Sequence, residues 1–324
     1  MSNLRLISGG QNKAPGGSPS QIANIKGIGM ADYVWPAQDG GIYWRKRPVV
    51  LIKGGTVRDA SDTVPIIEVW TFATTLPGES PEVNVLNQYA LNPCYYLPDP
   101  TRPEGSFLVC CEVKTLDGNP TASNSRATLR ATHESVGGLQ DSLDHRGSAW
   151  GWIQGYSLID AKGNEVTFEI SNEVFEHHFG ACIDAGLMIM AGDPLSLGFW
   201  SYTLGDRGFP EILEPDLPNP IIMGDQVILS RHLLSKIARD RGLRVLWDST
   251  MLTYTDESLA ESEDPLELLD RVEGAYPYRT WNPNSREFQI SHIAVSVPPN
   301  ADPYHQAAKV LAAIHHKGNN RAAE

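Results

Sequence analysis

The hydrophobic pattern of this chain changes period once along its length, and that change restricts the fold to a two-part α+β arrangement. From Ala31 to about Val113, short apolar runs alternate with turn residues. They include Asp32-Tyr33-Val34-Trp35, Pro48-Val49-Val50-Leu51-Ile52, Ile66-Ile67-Glu68-Val69-Trp70 and Phe107-Leu108-Val109-Cys110-Cys111. Runs this short, rich in β-branched and aromatic residues, are strands, and Gly40-Gly41 between two of them suits a hairpin turn. After the turn cluster Asp117-Gly118-Asn119-Pro120, helix and strand patterns alternate. Thr121 or Ser123 caps a helix expected through Leu129 to about Leu143. Val174 to Ala185 sets Phe175, Phe179, Cys182 and Ile183 on one helical face. Asp225 to Arg241 does the same with Ile228, Leu229, Leu233, Ile237 and Ala238, and Gly242 stops it. Strands are expected at Leu187–Ala191, Phe199–Leu204, Leu243–Trp247 and Phe288–Val297. A last helix is expected over Pro303 to His316, after Asn300-Ala301-Asp302.

The expected organisation is a flexible arm over residues 1–29, a small β domain over 30–118 and a larger α+β domain over 119–324. The arm is rich in Gly, Ser, Pro and Asn and has little apolar periodicity. Its glycines do not make a phosphate loop, because no Gly-x-x-x-x-Gly-Lys-Ser/Thr pattern follows. A formal net charge of −13 argues against non-specific nucleic-acid binding and against docking on an anionic membrane. Cys94, Cys110, Cys111 and Cys182 make neither a disulfide framework nor a zinc spacing, so reduced, buried thiols are expected. Cys110 and Cys111 adjoin in one strand, so their side chains point to opposite faces. No signal peptide or transmembrane-length apolar run is visible, and the expected location is cytoplasmic. The acidic stretch Asp256 to Glu267 reads as a solvated loop or helix start.

Several segments, in order and spacing, resemble the eukaryotic-type glutamine synthetases. Tyr33-Val34-Trp35 followed by Arg45-Lys46-Arg47 looks like that family's first strand pair. Val109-Cys110-Cys111-Glu112-Val113 followed by Asn119-Pro120-Thr121-Ala122-Ser123-Asn124-Ser125-Arg126 is similar to its strand-to-helix passage. Glu176-His177-His178-Phe179-Gly180-Ala181-Cys182 resembles one of its helices. Met223-Gly224-Asp225-Gln226, Arg231 and Val245-Leu246-Trp247-Asp248 resemble a further helix–strand unit, and Asn300-Ala301-Asp302-Pro303-Tyr304 the opening of its last helix. The resemblance implies a β-grasp-like domain followed by a shortened catalytic-type domain built on a curved antiparallel sheet with helices. It also implies ring-like homo-oligomers, since the family's active sites form between subunits, or co-assembly with another protein.

That family's chemistry uses carboxylates to hold two or three Mg²⁺ or Mn²⁺ ions, hard cations that take oxygen ligands. The ions neutralise charge as a phosphoryl group passes from ATP to glutamate. At the matching positions this sequence departs. The paired metal-binding glutamates fall at Ile153 and Gly155, two further glutamates at Pro194 and Ser201, and an ammonium-binding aspartate at Ala73. No counterpart of the glutamate-binding passage follows Asp248-Ser249-Thr250, and the last strand reads Ser291-His292-Ile293-Ala294-Val295-Ser296. The departures imply no metal, no nucleotide cofactor and no ligase activity.

By period-2 alternation, Ile153, Gly155 and Ser157 share one strand face, as do Ser201 and Thr203. This small, hydroxyl-bearing surface is the candidate ligand site, joined by Arg45 and Arg47 if these reach a neighbouring subunit's cleft. Asp193 and His292 are the titratable groups expected near it, as a candidate acid–base pair. His177 and His178 adjoin on a helix and point about 100° apart, too far to chelate one ion together. Two readings stand. One is a binding, regulatory or assembly module that has lost the metal and ATP machinery. The other is a repurposed enzyme acting without ATP on a small amino acid or amide in a specialised biosynthetic or phage pathway.

Overall fold

The computed structural model describes residues 25–36, 41–53, 63–74, 87–135, 149–196, 198–205, 219–255, 274–282 and 287–315. The expected N-terminal arm, the acidic stretch at 256–267 and the end of the helix expected near Leu143 lie outside them. Among the described residues no helix is long and apolar enough to cross a membrane.

The chain forms two compact units. The first comprises Met1–Gln38, Ile42–Asn124 and Asp184–Gly186. Its sheet contains β1 (Ile25–Pro36), β2 (Ile42–Lys53), β3 (Thr63–Ile66), β4 (Trp70–Thr74), β5 (Asn87–Pro98) and β6 (Ser106–Thr115), in the order β3-β2-β1-β6-β5-β4. β1 and β6 run parallel at the centre, from Met30↔Ser106 to Val34↔Cys110. Each is the inner strand of an antiparallel pair, β1 with β2 and β6 with β5. One face carries the core: Ala31, Tyr33 and Trp35 of β1, and Phe107, Val109, Cys111 and Val113 of β6. These are alternate positions on each strand, as a period of two requires. Cys110 lies on the opposite face from Cys111, and both are buried.

This unit runs on to Asn124, beyond the boundary expected at Gly118. The reason is local. Pro120 bridges to Lys114, Thr121 N–H donates to the Val113 carbonyl, and Asn124 Nδ2 donates to the same carbonyl at 3.0 Å. These bonds satisfy backbone groups that would otherwise be stranded, so the segment stays with β6.

The second unit comprises Asp39–Gly41, Ser125–Ile183 and Leu187–Glu324. Its antiparallel sheet contains β7 (Ala149–Ile159), β8 (Ile189–Ser196), β9 (Phe199–Gly205), β10 (Arg244–Thr255), β11 (Ala275–Asn282) and β12 (Glu287–Val297), in the order β11-β12-β10-β7-β9-β8. Its helices are α1 (Ser125–Ser135), α2 (Phe168–Ala185), α3 (Pro220–Asp240) and α4 (Pro303–His315). α3 starts five residues ahead of Asp225, because Asn219-Pro220 is a better start signal than the apolar period revealed. The Asn219 side chain accepts from Ile221 and Ile222 N–H, both at 3.0 Å, and Pro220 occupies the first turn, where its missing donor costs nothing. At the other end Gly242 has φ of 71°, and the Leu243 N–H closes on the Ala238 carbonyl.

α3 packs on β7, β9 and β10 and against α1 and α4. The sheet face towards the helices carries Trp150, Trp152, Gln154, Tyr156, Trp200, Tyr202 and Leu204, all buried. α2 lays Phe168 and Phe175 on Trp200, with ring centroids 5.4 and 4.6 Å away. Offset-stacked pairs of this kind add about 0.5–1.5 kcal/mol each beyond area burial.

Candidate functional site

The register of β7 against β9 brings five of the expected site residues into one patch. Ile153 lies opposite Thr203, Gly155 opposite Ser201, and Ser157 opposite Phe199. Opposed residues in an antiparallel pair share a face, so all five occupy the side of the sheet away from Trp152, Tyr156 and Tyr202. Ser157, Ser201 and Thr203 are buried there. β10 widens the patch, setting Met251 beside Ile153 and Leu246 beside Ser157. The sequence did not reveal Met251, because the strand expected to end at Trp247 continues to Thr255.

Gly155 has a structural reason to be glycine. The β7–β10 register slips between Trp247 and Thr250, so Asp248 and Ser249 bulge opposite it. A Cβ on Gly155 would sit on Ser249 Oγ and 2.9 Å from the Ser249 carbonyl oxygen. A side chain there would have to displace backbone. The five patch positions therefore offer three hydroxyls, one isoleucine and no carboxylate. Such a set does not fit a cluster of hard divalent cations, which takes charged oxygen ligands.

Of the other expected residues, Asp193 of β8 lies directly opposite Ser201, so it shares the patch's face as a single exposed carboxylate at its border, and the rest are placed elsewhere. His292 belongs to β12, where its backbone pairs with Tyr278. Four strand steps separate β8 from β12, roughly 19 Å along the sheet at the usual ~4.8 Å interstrand spacing. The structure does not bring the two together as an acid–base pair. Arg45 and Arg47 lie on β2 in the first unit. Arg47 makes a 2.8 Å ion pair with Glu68, and the Arg45 guanidinium sits 5.9 Å from the Trp70 ring centroid.

The helix side of the sheet carries a second polar group of residues. Arg231 Nε donates to Gln154 Oε1 at 2.7 Å, and Nη1 donates to the Ala301 carbonyl at 2.9 Å. Burial pulls its guanidinium down to about 10, opposed by Tyr202 and Asp302. Asp302 is itself pushed up by burial, against the hydrogen bond from the Ser125 hydroxyl. Beside it, Arg126 clamps Asp225 through two bonds of 2.8 and 2.9 Å, and Asp225 also accepts from the Tyr304 hydroxyl at 2.6 Å. His178 is fully buried on α2, with Nε2 3.3 Å from the Ser230 carbonyl oxygen and 3.2 Å from Cys182 Sγ. Burial takes this imidazole down to about 4 and raises the Cys182 thiol to about 12, so both are neutral at pH 7. His177, its neighbour, faces outward.

A six-stranded sheet with a central parallel pair, followed by a six-stranded antiparallel sheet backed by helices, is a glutamine synthetase-like α+β architecture. Known structures agree. A crystal structure titled as a novel glutamine synthase homolog superimposes with a TM-score of 0.59 at 13% identity, covering 89% of this chain and 82% of that one. Apo GmaS gives 0.55 at 13% identity over 89% and 77%. No family model matches the chain. In sequence it is 28% identical to the glutamine synthetase of Frankia alni over 232 residues, 67% of this chain and 58% of that protein. It is 27% identical to that of Emericella nidulans over 238 residues, 69% and 60%. In sequence the chain is similar to the glutamine synthetases, and in fold it is glutamine synthetase-like. It spans about three-fifths of the length of the curated relatives it matches.

Proposed function

We propose that this protein keeps the glutamine synthetase scaffold as a binding, regulatory or assembly module and does not carry out metal- and ATP-dependent ligation. The observation that carries this reading is the patch at Ile153, Gly155, Ser201 and Thr203. Its hydroxyl and apolar side chains replace the carboxylates that the resemblance calls for, and the Ser249 bulge fills the space a side chain at position 155 would need. Ring-like self-association or co-assembly with another protein in the cytoplasm belongs to the same proposal. Here the sheet face with Ser157, Ser201 and Thr203 is the region that takes an uncharged ligand or partner group.

The test is a thermal-shift titration with ATP and Mg²⁺, run beside a γ-glutamyl hydroxamate assay. The expected result is no shift and no hydroxamate. A nucleotide-dependent rise in Tm that also requires Mg²⁺, or any hydroxamate formed, refutes the reading. A second reading is ATP-independent chemistry on a small amino acid or amide, supported by the hydroxyls of Ser157, Ser201 and Thr203 gathered on one face. Under it, a small amide or amino acid raises Tm without nucleotide, and Ser201→Ala with Thr203→Val abolishes the rise.

A further inference from the structure

We propose that Cys94 and Cys110 are an oxidisable pair that forms a disulfide across β5 and β6, a modification site independent of the patch on the second unit. The register places them. β5 and β6 pair Pro93 with Cys111 and Tyr95 with Cys110, leaving Cys94 as the extra residue of a β-bulge. In a bulge two residues oppose one, so Cys94 and Tyr95 both face Cys110. The Cys94 and Cys110 sulfurs lie within 4.8 Å of one another. The Cys94 thiol donates to the backbone carbonyl of Cys110 itself at 3.1 Å, so its side chain already leans onto its partner residue.

The other cysteines are placed differently. Cys111 is on the opposite face of β6, within the core formed by Tyr33, Val109 and Val113. Cys182 is on α2 against His178. The bulge also lies at a sheet edge: β4 pairs with β5 from Asn87 to Leu91, and among the described residues no strand pairs with that side of β5 from Asn92 to Pro98. An edge can open locally at lower cost than a strand paired on both sides. Cys94, 7% exposed against 0% for Cys110, is therefore the sulfur a reagent reaches first.

The oxidant is a small-molecule disulfide. The Cys94 thiolate attacks one of its sulfurs, forming a mixed disulfide and expelling one thiolate. The Cys110 thiolate then attacks Cys94 Sγ, forming the intramolecular bond and expelling the second thiolate. Two electrons pass from the protein to the oxidant, and the two thiol protons end on the released small thiols. Closing the bond to about 2.05 Å requires side-chain rotation within a pair whose strands are already adjacent.

The test uses the full chain and oxidised glutathione. After incubation, free thiols are alkylated in denaturant, the protein is digested without reductant, and cross-linked peptides are mapped by mass. The four thiols of the chain are expected to fall to two. A Cys94–Cys110 peptide is expected, and dithiothreitol should remove it. The urea midpoint should rise on oxidation and return on reduction, because the cross-link closes a loop in the unfolded chain. Cys94→Ser should abolish the rise; the peptide map of the unsubstituted protein decides the matter if that variant does not fold. Four alkylated thiols after oxidation, a bond to Cys111 or Cys182, or a bond only between molecules would overturn the proposal.

Discussion

Acid should unfold this protein through His178 before it reaches most of the carboxylates. The imidazole is buried on α2, edge-on to Tyr202 at a centroid distance of 4.8 Å, with Nε2 towards the Ser230 carbonyl and Cys182 Sγ. Among the described residues its Nδ1 has no hydrogen-bond partner. Burial is the main cause of its depression to about 4; the Ser230 carbonyl opposes it and the neighbouring His177 adds to it. In the unfolded chain the same side chain takes a proton near 6.5. Between those values the unfolded state binds a proton that the native state refuses, so stability is lost as pH falls from 6.5 towards 4. The loss is about 3 kcal/mol when complete, more than a hundredfold in the folded-to-unfolded ratio. The measurement is urea unfolding of the parent protein and of His178→Gln at pH 7, 6, 5 and 4.5. At pH 7 the variant should be weaker, because the neutral histidine packs well. Between pH 7 and 4.5 the parent should lose about 2 kcal/mol more than the variant, so that the two stability curves converge. Curves that fall in parallel would refute the argument. They would mean that the native imidazole titrates near its ordinary value and that burial does not hold it neutral.

The bulge at Ser249 predicts that Gly155→Ala lowers stability by about 1–3 kcal/mol, the usual cost of overpacking, read as a lower urea midpoint. Replacing Ile153 and Gly155 together with glutamate should not confer Mg²⁺-dependent ATP binding by calorimetry, because the second side chain has no space. Asp225→Asn should cost about 3–5 kcal/mol, since it takes the negative charge out of the two-bond clamp on the buried Arg126 guanidinium; equilibrium unfolding reads it directly. Arg231→Lys should cost about 2 kcal/mol, because a single ammonium cannot reach both Gln154 Oε1 and the Ala301 carbonyl.

Much of the fold was legible because it follows from period and punctuation. Short apolar runs located the strands β1 and β6 of the first sheet, and the Gly242 stop located the end of α3. Features that depend on pairing were not legible. The slip between Trp247 and Thr250 leaves no compositional mark, yet it determines why position 155 is glycine. Alternation set Ile153, Gly155 and Ser157 on one face and Ser201 and Thr203 on another strand's face. Only the register shows that the two faces are the same. Strand order separated Asp193 from His292, which a linear reading had grouped. Helix starts were late in the reading for a similar reason: Phe168 opens α2 six residues ahead of Val174, where the apolar stripe becomes regular.

The segments that carry the family resemblance converge on the buried polar contacts around α3. Arg126 from the second segment and Asp225 from the fourth meet Tyr304 from the last. Ser125 from the second bonds Asp302 from the last, and Arg231 ties the Ala301 carbonyl to Gln154 on β7. Gly224 must stay small for the same reason, as a Cβ there would lie 2.5 Å from the Tyr304 ring. Removing one member of such a network strands a buried charge or donor, so its residues can change only together. Among the described residues no side-chain hydrogen bond or ion pair ties Ile153, Ser201 and Thr203 into such a network, so these side chains can be replaced one at a time without unfolding the sheet behind them. That difference gives the resemblance a physical footing: the segments that carry it are those tied into one buried network.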